Sequence, residues 1–333
     1  MPQPSILYAT GRVWAMMDHL LNQERMTRML EAPDAAEVLR QLADTEYGPL
    51  AAEIDSTAYE TMLQQETARV WALVASLFSD ERLVDVFALQ NDAHNLKVLY
   101  KARILNRDYD ALLQPGSISI DALKAFVRDG DTVMLPDRYR EALRVMGKEL
   151  AEPTPMQAAI AADRWYFATA LWLLADKTYD LVRPLIQAKL DFANICTLLR
   201  VKAMQGDEAQ LSACWIPGGT LDGRLPAKLS DTLESLLETL RQDTAGTLWS
   251  DALAEGLADY ARTHSTAGLE KRMDDWQLAY VAKHRNEAGS CMPLIGYLFA
   301  KEREIANLRL ILTAKQGGVS AEGVRERLRG VYV

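Results

Sequence analysis

Three stretches of this sequence place an acid, an asparagine and a base at the same helical spacing. In the last of them Glu304 precedes Asn307 by three residues and Lys315 follows it by eight. Residues at these spacings share one face of an α-helix, so the three side chains lie along one stripe. A carboxylate accepts hydrogen bonds, a carboxamide both donates and accepts, and a base stabilises a helix C-terminus or binds an acidic partner. The stripe can therefore anchor neighbouring backbone or line a binding site.

The same register occurs twice upstream. One copy contains Asp92, Asn95, Leu99, Ala102 and Arg103, the next contains Asp191, Asn194, Leu198, Val201 and Lys202, and Ile311 and Ala314 complete the last. Recurrence favours a packing role for the asparagines, because a catalytic group is normally needed once. The alternative is that each asparagine lines a site. The three bases are interpreted either as helix-end cations or as candidate contacts for an acidic partner.

Signatures of nucleotide, metal or cofactor binding are missing. The one Gly-Lys pair, Gly147-Lys148, is followed by Glu149, so the sequence contains no phosphate-binding P-loop. The four histidines are far apart and none has a second histidine one turn away, which predicts no metal and no cofactor. Asp274-Asp275 is similar to the acidic diphosphate motif of all-α terpene enzymes, but Leu278 stands in place of its last acid. We expect this pair to lie on a solvated acidic face.

Length and composition narrow the class of protein. A chain of 333 residues exceeds what one hydrophobic core usually supports, which predicts more than one packing unit. An apolar content of 49% indicates a soluble globular protein, and a net charge of −9 argues against nucleic-acid binding. Three cysteines without a CxxC pair indicate a reducing cytosol. No secretory signal and no apolar run of membrane-spanning length are found.

The periodicity is helical throughout, and alternation with a period of two never persists, so we predict an all-α protein. The pattern over 6–31 predicts one helix that Pro33 ends, with Asp34 capping the next. A long helix is predicted over 57–78. Ser119 is expected to cap a short helix, as is Ser320 over 321–328.

The asparagine register divides the chain into three similar helical units. A Pro-Gly turn follows the first two copies, at Gln114–Ser117 and at Trp215–Gly219. We therefore predict a first unit at 1–116 that includes the N-terminal helix, a second at 117–217, and a third at 218–333 with the C-terminal helix. Because Gly317–Ser320 is similar to Gly116–Ser119, we also expect the chain to end on the opening helix of a fourth, truncated unit.

The C-terminal stretch 297–333, YLFAKEREIANLRLILTAKQGGVSAEGVRERLRGVYV, closely resembles the signature of the C subunit of the archaeal and bacterial V/A-type ATPases, whose vacuolar counterpart is the d subunit. The stretches at Tyr8–Arg12, at 43–48 and at Asn95–Lys97 agree with that family. Asn194 departs from it, since Ile195-Cys196 follow where a basic residue is usual. The resemblance runs from end to end and is weakest over 224–269.

The resemblance implies a funnel of three similar helical subdomains around a pseudo-threefold axis, without catalytic activity or nucleotide binding. It further implies a central-stalk rotor subunit that lies on the cytoplasmic face of the membrane proteolipid ring. Its socket would receive the central shaft, formed by subunits of the D and F types. Two alternatives stay open: a free-standing all-α scaffold protein and an all-α diphosphate-metabolising enzyme.

Overall fold

The computed structural model describes residues 4–150, 152–221, 223–325 and 327–332. Within these ranges the regular secondary structure is helical and contains no strand, so the all-α prediction is confirmed. The α-helices are α1 Ile6–Met17, α2 Gln23–Glu31, α3 Ala35–Gln41, α4 Gly48–Ala51, α5 Tyr59–Leu77, α6 Glu81–Leu105, α7 Ile120–Asp129, α8 Asp137–Glu149, α9 Pro155–Leu173, α10 Arg183–Ala203, α11 Glu208–Cys214, α12 Leu233–Asp243, α13 Ser250–Thr263, α14 Ala267–Lys283, α15 Met292–Gln316 and α16 Ala321–Arg325. Short 3₁₀ helices lie at Asp110–Leu112, Lys177–Tyr179 and Leu225–Lys228.

Several helix starts follow directly from the sequence. Ser119 precedes α7 and accepts a hydrogen bond from the backbone N–H of Ala122, as its position predicts. Asp34 caps α3 in the same way through the N–H of Glu37. Such caps satisfy backbone donors that the first helical turn leaves without an intrahelical partner.

The single helix predicted over 6–31 is wrong, because the chain forms two helices there. α1 ends at Met17, and Asn22 starts α2 by accepting a hydrogen bond from the N–H of Arg25. Leu20 and Leu21, between the two helices, are both buried. The apolar spacing continues across the break, so periodicity alone cannot reveal it.

Residues Met1–Ser79 and Asp274–Val333 form one compact unit, here called the terminal unit. Its central element is α15, which has buried residues on every side along most of its length. Helices α1, α2, α3, α5 and α16 pack on α15. The first part of α15, 292–300, is apolar on all sides and needs this kind of enclosure.

Residues Asp80–Met273 form a second compact unit, the central unit. Its most extensive helix pair is α6 against α9. Helix α7 packs on α6, helices α8 and α10 pack on α9, and α11 packs on α10. The central unit therefore contains two of the three asparagine helices, α6 and α10, while the terminal unit contains α15.

Candidate functional site

Each asparagine of the register binds the backbone of one distant residue through both ends of its carboxamide. In every case Nδ2 donates to the carbonyl oxygen and Oδ1 accepts from the N–H of the same residue. The partners and the two distances are Gln114 for Asn95, 2.7 and 2.9 Å; Ile216 for Asn194, 2.8 and 3.0 Å; and Arg329 for Asn307, 3.0 and 3.0 Å. All three asparagines are buried. Each therefore ties the returning chain to its helix at a point that water does not reach.

The three asparagine helices also end in the same way. The residue eleven positions after the asparagine has a left-handed backbone, with φ of 49° at Asn106, 57° at Gln205 and 65° at Gly318. The next N–H donates back to the carbonyl of Ala102, Val201 and Ala314 respectively, at 3.0, 2.9 and 2.9 Å. This hydrogen bond closes a helix C-terminus in the Schellman manner. Ala102, Val201 and Ala314, each seven residues after its asparagine, therefore accept the same helix-ending hydrogen bond in the three copies.

The expected opening of a fourth unit after Gly317 is wrong. Arg329 occupies, relative to Asn307, the place that Gln114 and Ile216 occupy in the other copies. The C-terminal segment, which includes α16, thus completes the third copy. The likeness of Gly317–Ser320 to Gly116–Ser119 arises because both stretches are glycine-serine helix starts.

In two copies the carboxylate of the register accepts hydrogen bonds from backbone N–H groups that lie a few residues after the residue bound by the asparagine. Asp92 accepts hydrogen bonds from the N–H groups of Ser117 and Ile118, at 2.9 and 3.1 Å. Asp191 accepts from the N–H of Thr220 at 2.9 Å and also from its hydroxyl. Both carboxylates therefore bind their own helix, α6 or α10, to the chain that returns along it.

Glu304, the third acid, binds the N-terminal part of the chain instead. Its Oε2 accepts from the N–H of Leu21 at 2.6 Å, and its Oε1 accepts from the hydroxyl of Tyr47 at 2.7 Å. Leu21 immediately precedes Asn22, the cap of α2, just as Ile118 immediately precedes Ser119, the cap of α7. The break between α1 and α2 therefore gives Glu304 the same type of partner that Asp92 has.

The bases of the register donate to carbonyl oxygens near the ends of other segments. Arg103 binds Val127 O and Leu150 O at 2.6 and 3.2 Å, Lys202 binds Leu229 O and Asp231 O at 2.8 and 2.5 Å, and Lys315 binds Leu30 O at 2.7 Å. Carbonyls in the last turn of a helix lack intrahelical donors, and Arg103 supplies one at the end of α7 and Lys315 one at the end of α2. The hydrogen bonds to described residues leave further N–H donors on each base. A contact with an acidic partner therefore stays a prediction.

Burial changes the proton affinity of the first two acids. It raises the pKa of Asp92 to about 7, against the opposing effect of the N–H groups of Ile118 and Ser117, and Asp85 adds a repulsive charge. Burial likewise raises the pKa of Asp191, although Thr220 and the N–H of Leu221 oppose the shift. A buried carboxylate loses more hydration than these hydrogen bonds return.

A buried ionic cluster surrounds Glu304, and sequence reasoning missed it. Lys301 is 1% exposed and its Nζ lies 2.6 Å from Glu304 Oε1 and 2.8 Å from Glu66 Oε1. Arg69 binds Glu66 at 2.7 Å and Glu46 at 2.8 Å. The signal available in the sequence was the charged run from Lys301 to Glu304 directly after the apolar stretch 292–300.

The cluster favours the charged forms of Lys301 and Glu66. Burial of Lys301 opposes its charge, but Glu304 and Glu66 outweigh that effect and raise its pKa. Burial also opposes the charge of Glu66, but Arg69 and Lys301 outweigh it and lower its pKa. Burial and the nearby carboxylates, Glu304 first, raise the pKa of Tyr47, so its hydroxyl keeps its proton and donates a hydrogen bond to Glu304.

The acidic pair Asp274-Asp275 is bound to the C-terminal segment, which corrects the expected solvated face. Asp274 Oδ2 lies 2.6 Å from both Arg303 and Arg329. Asp275 accepts a hydrogen bond from the N–H of Gly330 at 3.2 Å.

Among the described residues there is no group of three or more His, Cys, Asp or Glu that could hold a metal ion. In the same part of the chain, no helix is long and apolar enough to cross a bilayer.

Comparison with known proteins gives one family. The profile of the ATP synthase (C/AC39) subunit matches residues 9–327. The C subunit of the A-type ATP synthase of Methanocaldococcus jannaschii is 25% identical, over 96% of this chain and 85% of the relative. The C subunit of the V-type sodium ATPase of Enterococcus hirae is 26% identical, over 94% of each chain. The C subunit of the A-type ATP synthase of Haloquadratum walsbyi is 26% identical, over 96% of each.

Proposed function

The chain belongs to the ATP synthase (C/AC39) subunit family, and we propose that it is the adaptor that joins the rotating shaft to the membrane ring. It is a non-catalytic subunit of a V/A-type rotary ATPase. In the proposed role its socket receives the central shaft, made of D-type and F-type subunits, and its base lies on the proteolipid ring. The observation that carries the proposal is the family match from residue 9 to residue 327.

The anchoring of the asparagine helices supports this role. An adaptor that transmits torque must resist bending, and each of these helices is tied by a buried carboxamide, a buried carboxylate and a helix-end cation. Buried hydrogen bonds with full partners fix one packing arrangement. We propose that the three copies mark three similar helical subdomains, bounded near residues 116 and 217, around a pseudo-threefold axis in a funnel.

The place of the protein in the cell is part of the proposal. We propose a peripheral position on the cytoplasmic face of the membrane, held by contacts with the proteolipid ring rather than by a helix of its own. The absence of a spanning helix among the described residues is compatible with this. Contacts that must persist through rotation are best distributed over many residues. Arg103, Lys202 and Lys315 are proposed as three such contacts with an acidic partner.

The two alternative functions have less support. A diphosphate enzyme needs carboxylates that are available to magnesium, but Asp274 is paired with two arginines and Asp275 with a backbone N–H. A free-standing scaffold would share the helices but gives no reason for a family match over nearly the whole chain.

Removal of the protein from the complete rotary complex tests the proposal. We expect the soluble motor to separate from the membrane sector while its ATP hydrolysis persists, because the hydrolysing sites lie on other chains. Adding the purified protein back should restore ion transport driven by ATP. Ion transport that continues at the original rate without this protein would overturn the adaptor role.

A further inference from the structure

Two hydrogen bonds of the central unit join residues that hold the same position in the first two copies of the register. Lys189 Nζ donates to Gln90 Oε1, and each of these residues lies five positions before its asparagine. The hydroxyl of Tyr179 donates to the carboxylate of Asp80, and each of these lies fifteen positions before it. Two residues in matching positions can touch each other only near the axis of the rotation that relates their copies. That axis therefore passes along these two contacts.

A pocket of about 510 Å³ opens beside the same axis, and all of its lining residues belong to the central unit. Each residue of α6 that lines it has its counterpart, 99 positions later, in the lining from α10. The pairs are Gln90 with Lys189, Ala93 with Phe192, His94 with Ala193, and Lys97 with Cys196. The pocket is therefore formed where matching faces of the first two copies meet, with α9 beside them.

Cations outnumber carboxylates in the pocket. Among the described lining residues, the charged side chains are Lys97, Asp163, Lys189, Arg200 and Glu270, in a chain whose net charge is −9. Lys97 is paired with Asp163 at 2.5 Å, and Arg200 is paired with Glu270, so each acid already has a cation. A positive surplus in an acidic protein favours a ligand that carries a carboxylate.

Arg200 is the cation of the pocket that is best placed for such a ligand. Its side chain is 55% exposed, and to described residues it donates hydrogen bonds through NH2 alone, to Thr266 and Glu270. A guanidinium has five N–H donors in a fork that matches a carboxylate, so Arg200 retains donors for a second acid.

The rest of the lining is apolar. Phe167, Phe192 and Cys196 are buried and lie at the pocket. The pocket volume falls in the range of about 300–1,000 Å³ that proteins use for compact ligands, which suits the tip of a loop. An apolar side chain beside the ligand's acid would cover these residues and gain from burial.

We infer that this pocket forms part of the wall of the shaft socket and binds a loop of a shaft subunit, with an acidic side chain next to an apolar one. The inference rests on the adaptor function proposed above. A single shaft that is received by three similar units must lie along the axis that relates them. The pocket lies on the axis that relates the two copies of the central unit, and its charge fits an acidic loop.

Photo-crosslinking in the complete rotary complex tests the occupant directly. The probe p-benzoylphenylalanine is placed at Thr197, which lines the pocket, and at Val133 as a control, since Val133 is 79% exposed and does not line it. We expect at least fivefold more crosslinking from Thr197, to a segment of a shaft subunit that contains an acidic residue. Yields equal to the control, or crosslinks to the ring, to lipid or to a segment without an acid, would overturn the inference.

A matched pair of substitutions tests the charge. Arg200→Glu should weaken binding of the isolated shaft subunits to the purified protein at least tenfold at low salt, and less at high salt. Arg144→Glu is the control and should alter binding less than twofold: Arg144 has a similarly exposed side chain, 46%, is also paired with a glutamate, and does not line the pocket. Equal effects of the two substitutions would overturn the inference.

A conservative variant separates charge from folding. Arg200→Gln keeps an N–H donor for Thr266, so its unfolding curve should match that of the wild type. Its binding should be weaker than that of the wild type, with a smaller dependence on salt, and unchanged binding would count against the inference. A shaft that stays bound without crosslinks from Thr197 would refute this pocket and leave the adaptor function standing. Ion transport that persists without the protein would refute the adaptor function itself.

Discussion

Gly116 lies so close to Asp92 that a β-carbon on Gly116 would fall 2.0 Å from Oδ1 of Asp92. Gly219 has the same relationship with Asp191, where the distance would be 2.1 Å. In both copies the glycine comes immediately before the N–H that the acid binds. Asp92 and Asp191 can therefore bind the backbone in this way only because a glycine, Gly116 or Gly219, precedes the N–H group.

Gly116→Ala should destabilise the protein by about 1–3 kcal/mol, because the added methyl forces Asp92 away from the two N–H groups it binds. Chemical denaturation followed by circular dichroism measures the change. Gly11→Ala is the matched control: no atom lies within 4 Å of its β-position in α1, so it should be neutral or stabilising by up to about 1 kcal/mol. Equal effects of the two substitutions would show that the contact with Asp92 is unimportant.

Asp92 should make stability depend on pH near neutrality. Its pKa is raised to about 7 in the folded protein, whereas a solvated aspartate has a pKa of about 3.9. Between these values the folded state binds more protons, so this contribution is complete below about pH 4 and is lost as the pH rises through about 7.

The test compares the wild type with Asp92→Asn, which cannot titrate. The stability advantage of the wild type should shrink on the order of 2–3 kcal/mol between pH 5 and pH 8. Asp55→Asn is the control, because hydrogen bonds from Thr57 lower the pKa of this exposed aspartate and confine its effect to acid pH. A difference between wild type and Asp92→Asn that stays constant from pH 5 to pH 8 would contradict the prediction.

Lys301→Met should destabilise the terminal unit by about 3–5 kcal/mol, because it leaves Glu66 and Glu304 buried without their cation. Lys124→Met, which removes a surface ion pair with Asp110, should change stability by less than about 1 kcal/mol. The deficit of Lys301→Met should decrease as the pH falls, because without Lys301 the burial of Glu66 favours its protonated form. Thermal unfolding as a function of pH gives both results, and a deficit independent of pH would argue against the ionic cluster.

Asn307→Ala should cost about 1–3 kcal/mol, because the N–H and the carbonyl of Arg329 both lose their partner. Asn95→Ala and Asn194→Ala should have similar costs, given their equivalent contacts. Asn286→Ala, in an exposed loop, serves as the control and should be nearly neutral. Differential scanning calorimetry measures the series, and a destabilisation confined to one of the three asparagines would contradict their equivalence.

Substituting glutamine for Arg103, Lys202 and Lys315 together should weaken binding of an acidic partner in a salt-dependent way. Glutamine retains an N–H donor for the helix-end carbonyls, so most of the fold should persist. A pull-down of shaft and ring subunits across a range of ionic strength measures the effect, with unfolding curves run alongside. Unchanged binding at every ionic strength would leave these residues as helix-end cations alone.

The sequence by itself determined the features that depend on nearby residues. The helical period, the caps at Asp34 and Ser119, the glycine and proline turns, and the triple register of Asn95, Asn194 and Asn307 all follow from residue types within one or two turns. The same local patterns carried the resemblance to the family. These predictions succeed because helix propensity, capping and spacing act over a few residues.

Only the tertiary structure decided which distant groups those side chains meet. Periodicity continued through Leu20 and Leu21, yet the chain breaks there so that Leu21 can bind Glu304, far along the sequence. Lys301 looked like an ordinary charge on a helix and proved to lie buried among carboxylates. The C-terminal segment was predicted to open a fourth unit, whereas its Arg329 is the backbone partner of Asn307. The physical reason is that burial and hydrogen-bond satisfaction are set by packing between remote segments, which local sequence does not specify.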